Sequence, residues 1–88
     1  MTLPDAEIMA LKALGFLAQD EERLGRFLAL SGAAPTELRR LAGEAAFLAG
    51  VLDNLRSDQS LLLAFAQSEN FDPSAVDRAA QCLGGSES

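Results

Sequence analysis

The sequence predicts an all-α fold, a compact bundle of five or six short helices, and three observations predict it. Apolar residues make up 49% of the chain, dominated by Leu and Ala, with no Trp and no Tyr; few of the rest are β-branched, and such a mixture favours helix over strand. Capping residues and prolines recur where helices would begin, at Thr2, Asp20, Pro35, Asp58 and Asp72-Pro73. Between these points the apolar side chains fall at helical spacing rather than in alternation.

The elements follow in order. Thr2, ahead of Pro4 and Asp5, caps a first helix that runs to about Ala18. Its Ile8, Met9, Leu11, Leu14, Phe16 and Leu17 cover most of the circumference and leave Lys12, Gly15 and Gln19 as a narrow polar stripe. A helix this apolar is either central or half of an interface. Asp20 caps EERLGRFLAL, where Leu24, Phe27 and Leu28 share a face, and Ser31-Gly32 closes that helix. Pro35 restarts helical structure to Gly43, with Leu38 and Leu41 facing inward. In EAAFLAGVLDNLR the residues Phe47, Leu48, Val51, Leu52 and Leu55 form an apolar stripe. Asp58 caps QSLLLAFAQ, which Glu69-Asn70 ends. Asp72-Pro73 then starts SAVDRAAQCL, with Phe71 expected to fold back as an apolar staple and Gly84-Gly85 closing the chain's last helix. The expected shared core lies around Leu14, Leu24, Phe27, Phe47, Leu52, Leu62 and Phe65.

Sliding the chain against itself singles out one ungapped offset, 38 residues, that sets Leu14 on Leu52, Asp20 on Asp58, Phe27 on Phe65, Pro35 on Pro73 and Arg40 on Arg78. The reading is two related three-helix halves, residues 4–41 and 42–79, within a single helical domain 1–85, followed by a disordered tail 86–88. Chance alignment of Leu-rich helices is the competing account. On this register Ala34, which has no capping oxygen, stands where Asp72 stands in the second copy.

With 88 residues, the chain buries about 60–65% of the surface its unfolded form exposes, so spare apolar surface favours a partner. Thirteen acidic against seven basic residues give a net charge of −6. That charge disfavours nucleic acid and anionic lipid as partners. A single cysteine, Cys82, allows no intrachain disulfide and suits a reducing, cytoplasmic compartment. It sits by an apolar stripe and reads as a buried structural thiol. No basic leader and no apolar stretch of spanning length occur, so neither secretion nor membrane insertion is expected.

Histidine is absent, which removes triad catalysis, His-based zinc sites and the usual proton shuttle at neutral pH. No glycine-rich phosphate loop occurs, and the glycines read as close-packing or capping positions. Carboxylate clusters at 20–22 (DEE) and 53–58 (DNLRSD) stand at helix termini, where the macrodipole favours negative charge. No catalytic residue, metal ligand or cofactor site is expected, and an enzyme working through carboxylates alone has the least support.

The candidate partner surface is Arg23, Arg26, Arg39 and Arg40. With them, residues 1–44 hold five bases against seven acids, whereas residues 45–88 hold two against six. These arginines are either solvated faces paired with Glu22 and Glu37 or an anion-facing patch. A helix-turn-helix with its recognition helix at 35–42 would have only about two turns and would carry Glu37.

RLGRFLALSG, FLAGVLDNLRSDQSLLLAFAQ and DPSAVDRAAQCLGG resemble a family of short, mainly alphaproteobacterial proteins known only as a domain of unknown function. The resemblance runs from about Ala10 to Gly85. It implies one all-helical domain in the bacterial cytoplasm and assigns no activity, so no functional residue carries over. In that family's pattern a proline often follows the position of Gly43; here Glu44 stands there. The expected function is a non-catalytic protein–protein interaction module or accessory subunit, with an unidentified protein or a second copy as partner. The alternative is a nucleic-acid-associated regulator using the four arginines.

Overall fold

The computed structural model describes residues 1–84, so the expected tail 86–88 and the last residue of the 1–85 domain lie outside the described residues. Helix α1 (Leu3–Ala18) begins where Thr2, in extended backbone, accepts the N–H of Asp5 at 3.2 Å. Helix α2 (Glu21–Ser31) is capped by Asp20, which takes the N–H groups of Glu22 and Arg23 at 3.0 and 3.4 Å. Gly32 ends it at φ 77°. The N–H groups of Gly32 and Ala33 both return to the Leu28 carbonyl, the usual closure at a left-handed residue.

The third helix is shorter than its sequence suggests. Pro35–Glu37 form a 3-10 turn that runs into α3 (Leu38–Leu41), four residues long. Ala34 has no side-chain oxygen to accept first-turn N–H groups; the only side-chain bond there runs the other way, from the Ala34 N–H to the Glu37 carboxylate at 3.1 Å. The segment starts in the tighter helical form that is frequent at helix ends. Helix α4 (Ala45–Arg56) has no side-chain cap, because the Glu44 carboxylate turns back to Arg40 at 3.3 Å. Asp58 caps α5 (Gln59–Glu69) through the Leu61 N–H at 3.2 Å, and Asn70, at φ 60°, ends it. Asp72 caps α6 (Pro73–Leu83), accepting both the N–H and the hydroxyl of Ser74 at 2.9 Å.

Six α-helices and, among the described residues, no strand make the fold all-α. Helices α1, α4 and α6 pack mutually at the centre. Helix α2 lies on α1 and α4, α5 lies on α4 and α6, and α3 has no fully buried residue. The core is formed by Leu17 of α1, Leu48, Val51, Leu52 and Leu55 of α4, Phe65 of α5 and Val76 of α6. Of the expected core, Phe27, Leu52 and Phe65 are buried, while Leu14, Leu24, Phe47 and Leu62 pack half-buried at its edge.

All five phenylalanines join two aromatic groups. Phe65 lies between Phe16 and Phe71 with ring centroids 5.5 and 5.8 Å away, and Phe27 meets Phe47 edge-on at 5.5 Å. The Phe71 N–H bonds the Ala66 carbonyl at 2.8 Å. Its ring contact with Phe65 is the one that accompanies a left-handed helix end, so Phe71 serves the close of α5.

Candidate functional site

On α1 the core face is Ala6, Met9, Ala10, Ala13 and Leu17, all buried. Three of these are alanines, whose small size lets α4 and α6 approach the α1 backbone closely. The opposite face carries Pro4, Ile8, Leu11, Gly15 and Ala18, all exposed. Ile8 is 53% and Leu11 44% exposed, although both counted as apolar cover in the sequence. The helix is thus central on one side and uncovered on the other, and the uncovered side takes in Ile8 and Leu11 as well as the expected stripe of Lys12, Gly15 and Gln19. A Cβ placed on Gly15, Gly25 or Gly50 would meet nothing within 4 Å. Close packing inside the chain therefore does not require glycine at these three helix-interior positions.

Beside the uncovered face runs a groove of about 470 Å³. Met1, Ile8, Met9 and Phe71 give it an apolar side, and Asp5, Lys12, Glu69 and Arg78 a charged one, in which Lys12 and Glu69 pair. Those two charges meet at 3.6 Å with side chains 49% and 32% exposed, an arrangement whose net stabilisation is small.

The four arginines occupy two places. Arg23 and Arg26 on α2 line a second cavity, of about 480 Å³, with Leu30, Asn54, Ser57 and Asp58. Arg39 and Arg40 on α3 are not among its lining residues. Arg40 is held between Glu37 at 3.1 Å and Glu44 at 3.3 Å, and Arg23 lies 3.6 Å from Asp20. Arg26 and Arg39 enter no ion pair among the described residues. The partner expected for the Arg23 helix was Glu22; the structure supplies the capping Asp20 instead.

Several carboxylates hold local structure. The Ala34 N–H, with Arg40 adding to it, holds the Glu37 carboxyl below its ordinary value of 4.5. The N–H and then the hydroxyl of Ser74 hold Asp72 below 3.8. Asp53 and Asp77 flank Arg56, each at 2.9 Å, which ties α4 to α6. Among the described residues no three acidic or cysteine side chains converge as metal ligands. Cys82 is half-buried rather than buried, its Sγ 3.9 Å from the Met1 carbonyl. Val76, Ala79, Ala80 and Leu83 form the buried stripe of α6, and Cys82 falls at that stripe's edge. No described helix is long and apolar enough to cross a membrane.

A family model described as Protein of unknown function (DUF3572) matches residues 4–86. The chain belongs to this family. The match takes in every helix of the fold except the first residue of α1, and with it both arginine sites and the whole of the uncovered α1 face. No curated protein and no solved structure matches the chain. Membership of DUF3572 thus brings no activity, ligand or partner to these surfaces.

Proposed function

We propose that this DUF3572 member is a non-catalytic protein–protein interaction module or accessory subunit of the bacterial cytoplasm, docking through the outer face of α1. The observation that carries the reading is the exposed apolar stripe containing Ile8 and Leu11 on a helix whose other face is fully engaged. Continuous exposed apolar surface on a small domain marks an interaction site more often than an isolated exposed leucine does. The lone cysteine and the family resemblance support the compartment, and the absence of histidine supports a role without catalysis.

The test is capture of proteins from the source cell on the immobilised chain, with wild type compared against Ile8→Glu and Leu11→Glu. Circular dichroism must show both variants folded. Partners held by wild type and lost by both variants support the reading; an identical set retained by all three overturns it.

A second reading, a nucleic-acid-associated regulator, draws on the unpaired Arg26 and Arg39. Against it stand the net charge of −6 and the two glutamates on Arg40. A DNA mobility shift at low salt that disappears when Arg23, Arg26, Arg39 and Arg40 are all replaced by Ala would favour it.

A further inference from the structure

We infer that the outer stripe of α1 docks a second copy of this chain, with the two α1 helices antiparallel. The inference rests on the interaction reading above and names its partner. Pro4, Ile8, Leu11, Gly15 and Ala18 are spaced alternately four and three residues apart, are all exposed, and include no charged side chain. This is the spacing of a two-helix seam. It lies on the side of α1 opposite Ala6, Met9, Ala10, Ala13 and Leu17, so a second helix reaches it without disturbing the core.

Charge complementarity identifies the occupant. Asp5 and Lys12 stand a heptad apart along the same edge of the stripe. When two such helices run antiparallel, with Ile8 against Leu11 of the second copy and Leu11 against its Ile8, the same edges face each other. Asp5 of each copy then meets Lys12 of the other, so the two-fold axis makes the ion pair twice. The same register sets Pro4 opposite Gly15 of the second copy. Gly15 is the one glycine of α1, and a methyl there would meet nothing in its own chain; glycine here permits close approach from outside. Antiparallel packing also opposes the two helix dipoles. Lys12 is available for the pairing, because its own-chain contact with Glu69 is 3.6 Å long and exposed.

Sedimentation of the purified full chain over a concentration series tests this. Wild type is expected to show a monomer–dimer equilibrium, and Leu11→Glu to weaken it at least about tenfold with an unchanged circular dichroism spectrum. Lys12→Glu and Asp5→Lys are each expected to weaken the dimer, and the double reversal to restore it, because both ion pairs reform with exchanged signs. Glu69→Gln, which removes only the own-chain partner of Lys12, is expected to leave association unchanged.

A wild-type chain that stays monomeric up to its solubility limit overturns the inference. So does a dimer indifferent to both Leu11→Glu and Lys12→Glu. A dimer broken by Leu11→Glu but not restored by the double reversal overturns the antiparallel pairing. A monomeric wild type that still captures another protein through Ile8 and Leu11 overturns self-docking and leaves the interaction reading standing.

Discussion

Residues 4–41 and 42–79 use the same devices with unequal results. Helices α2 and α5 both have 11 residues, follow an aspartate cap and end on a left-handed residue. Those end residues, Gly32 and Asn70, are the two with positive φ among the described residues, and they lie 38 positions apart. Phe27 and Phe65, at the same offset, each set an edge-on ring against a helix of the other half, through Phe47 of α4 and Phe16 of α1. The third helices then diverge. α6 runs for 11 residues from a capping aspartate and buries Ala75, Val76, Ala79, Ala80 and Leu83. α3 follows the uncapped Ala34 and buries none. One missing cap oxygen accompanies the difference between a central helix and a rim turn.

The comparison predicts unequal losses, and equilibrium urea unfolding measures them. Phe65→Ala removes a ring held between two others and is expected to cost about 3–5 kcal/mol, enough to unfold so small a domain. Phe27→Ala, which loses a single ring partner, is expected to cost less; equal losses would mean the second aromatic contact adds nothing. Between the third helices, Val76→Ala in buried α6 should cost about 2 kcal/mol, and Leu38→Ala at the corresponding half-buried position of α3 about 1 kcal/mol. A larger loss at Leu38 would show that α3 is as integral as α6.

A smaller effect runs the other way. Gly25 of α2 corresponds to Leu63 of α5 at the 38-residue offset, and a methyl on Gly25 meets nothing within 4 Å. Gly25→Ala should therefore stabilise the chain by about 0.5–1 kcal/mol, read as a raised Tm; a lowered Tm would mean α2 bends there in a way the structure does not show.

The smallest effects lie at the caps. Asp72→Ala should lower Tm. Ala34→Asp should raise it by less than Asp72→Ala lowers it, because a carboxylate at position 34 would sit beside Glu37, which already binds the Ala34 N–H. Both carboxyls titrate below their ordinary values of 3.8 and 4.5 when folded. Their contribution is complete above those unfolded values and is lost as pH falls through the lower folded ones. Asp72→Asn keeps a cap but not the charge, so it should flatten part of the acid slope of Tm below pH 3.8; identical slopes would deny Asp72 that role.

The caps were legible in the sequence because each is a local choice of residue type: Asp20, Asp58 and Asp72 all bind first-turn N–H groups as their positions imply. Faces were harder to read. Ala6, Ala10 and Ala13 are buried because α4 and α6 come close, a consequence of residues distant in sequence, whereas the bulkier Ile8 and Leu11 attract attention and stay outside. The arginines looked like one group because adjacent helices carry them. Their division follows from α3, four residues long and without a fully buried side chain, lying apart from α2.

The Cys82 thiol beside the Met1 carbonyl brings the end of α6 next to the start of α1. A short flexible linker from residue 84 to Met1, with new ends opened between Ala42 and Gly43, would present the second half before the first while leaving every helix beside its present neighbours. Cooperative urea unfolding of the rearranged chain is the expected outcome, and its absence would show that the bundle needs its helices delivered in the present order.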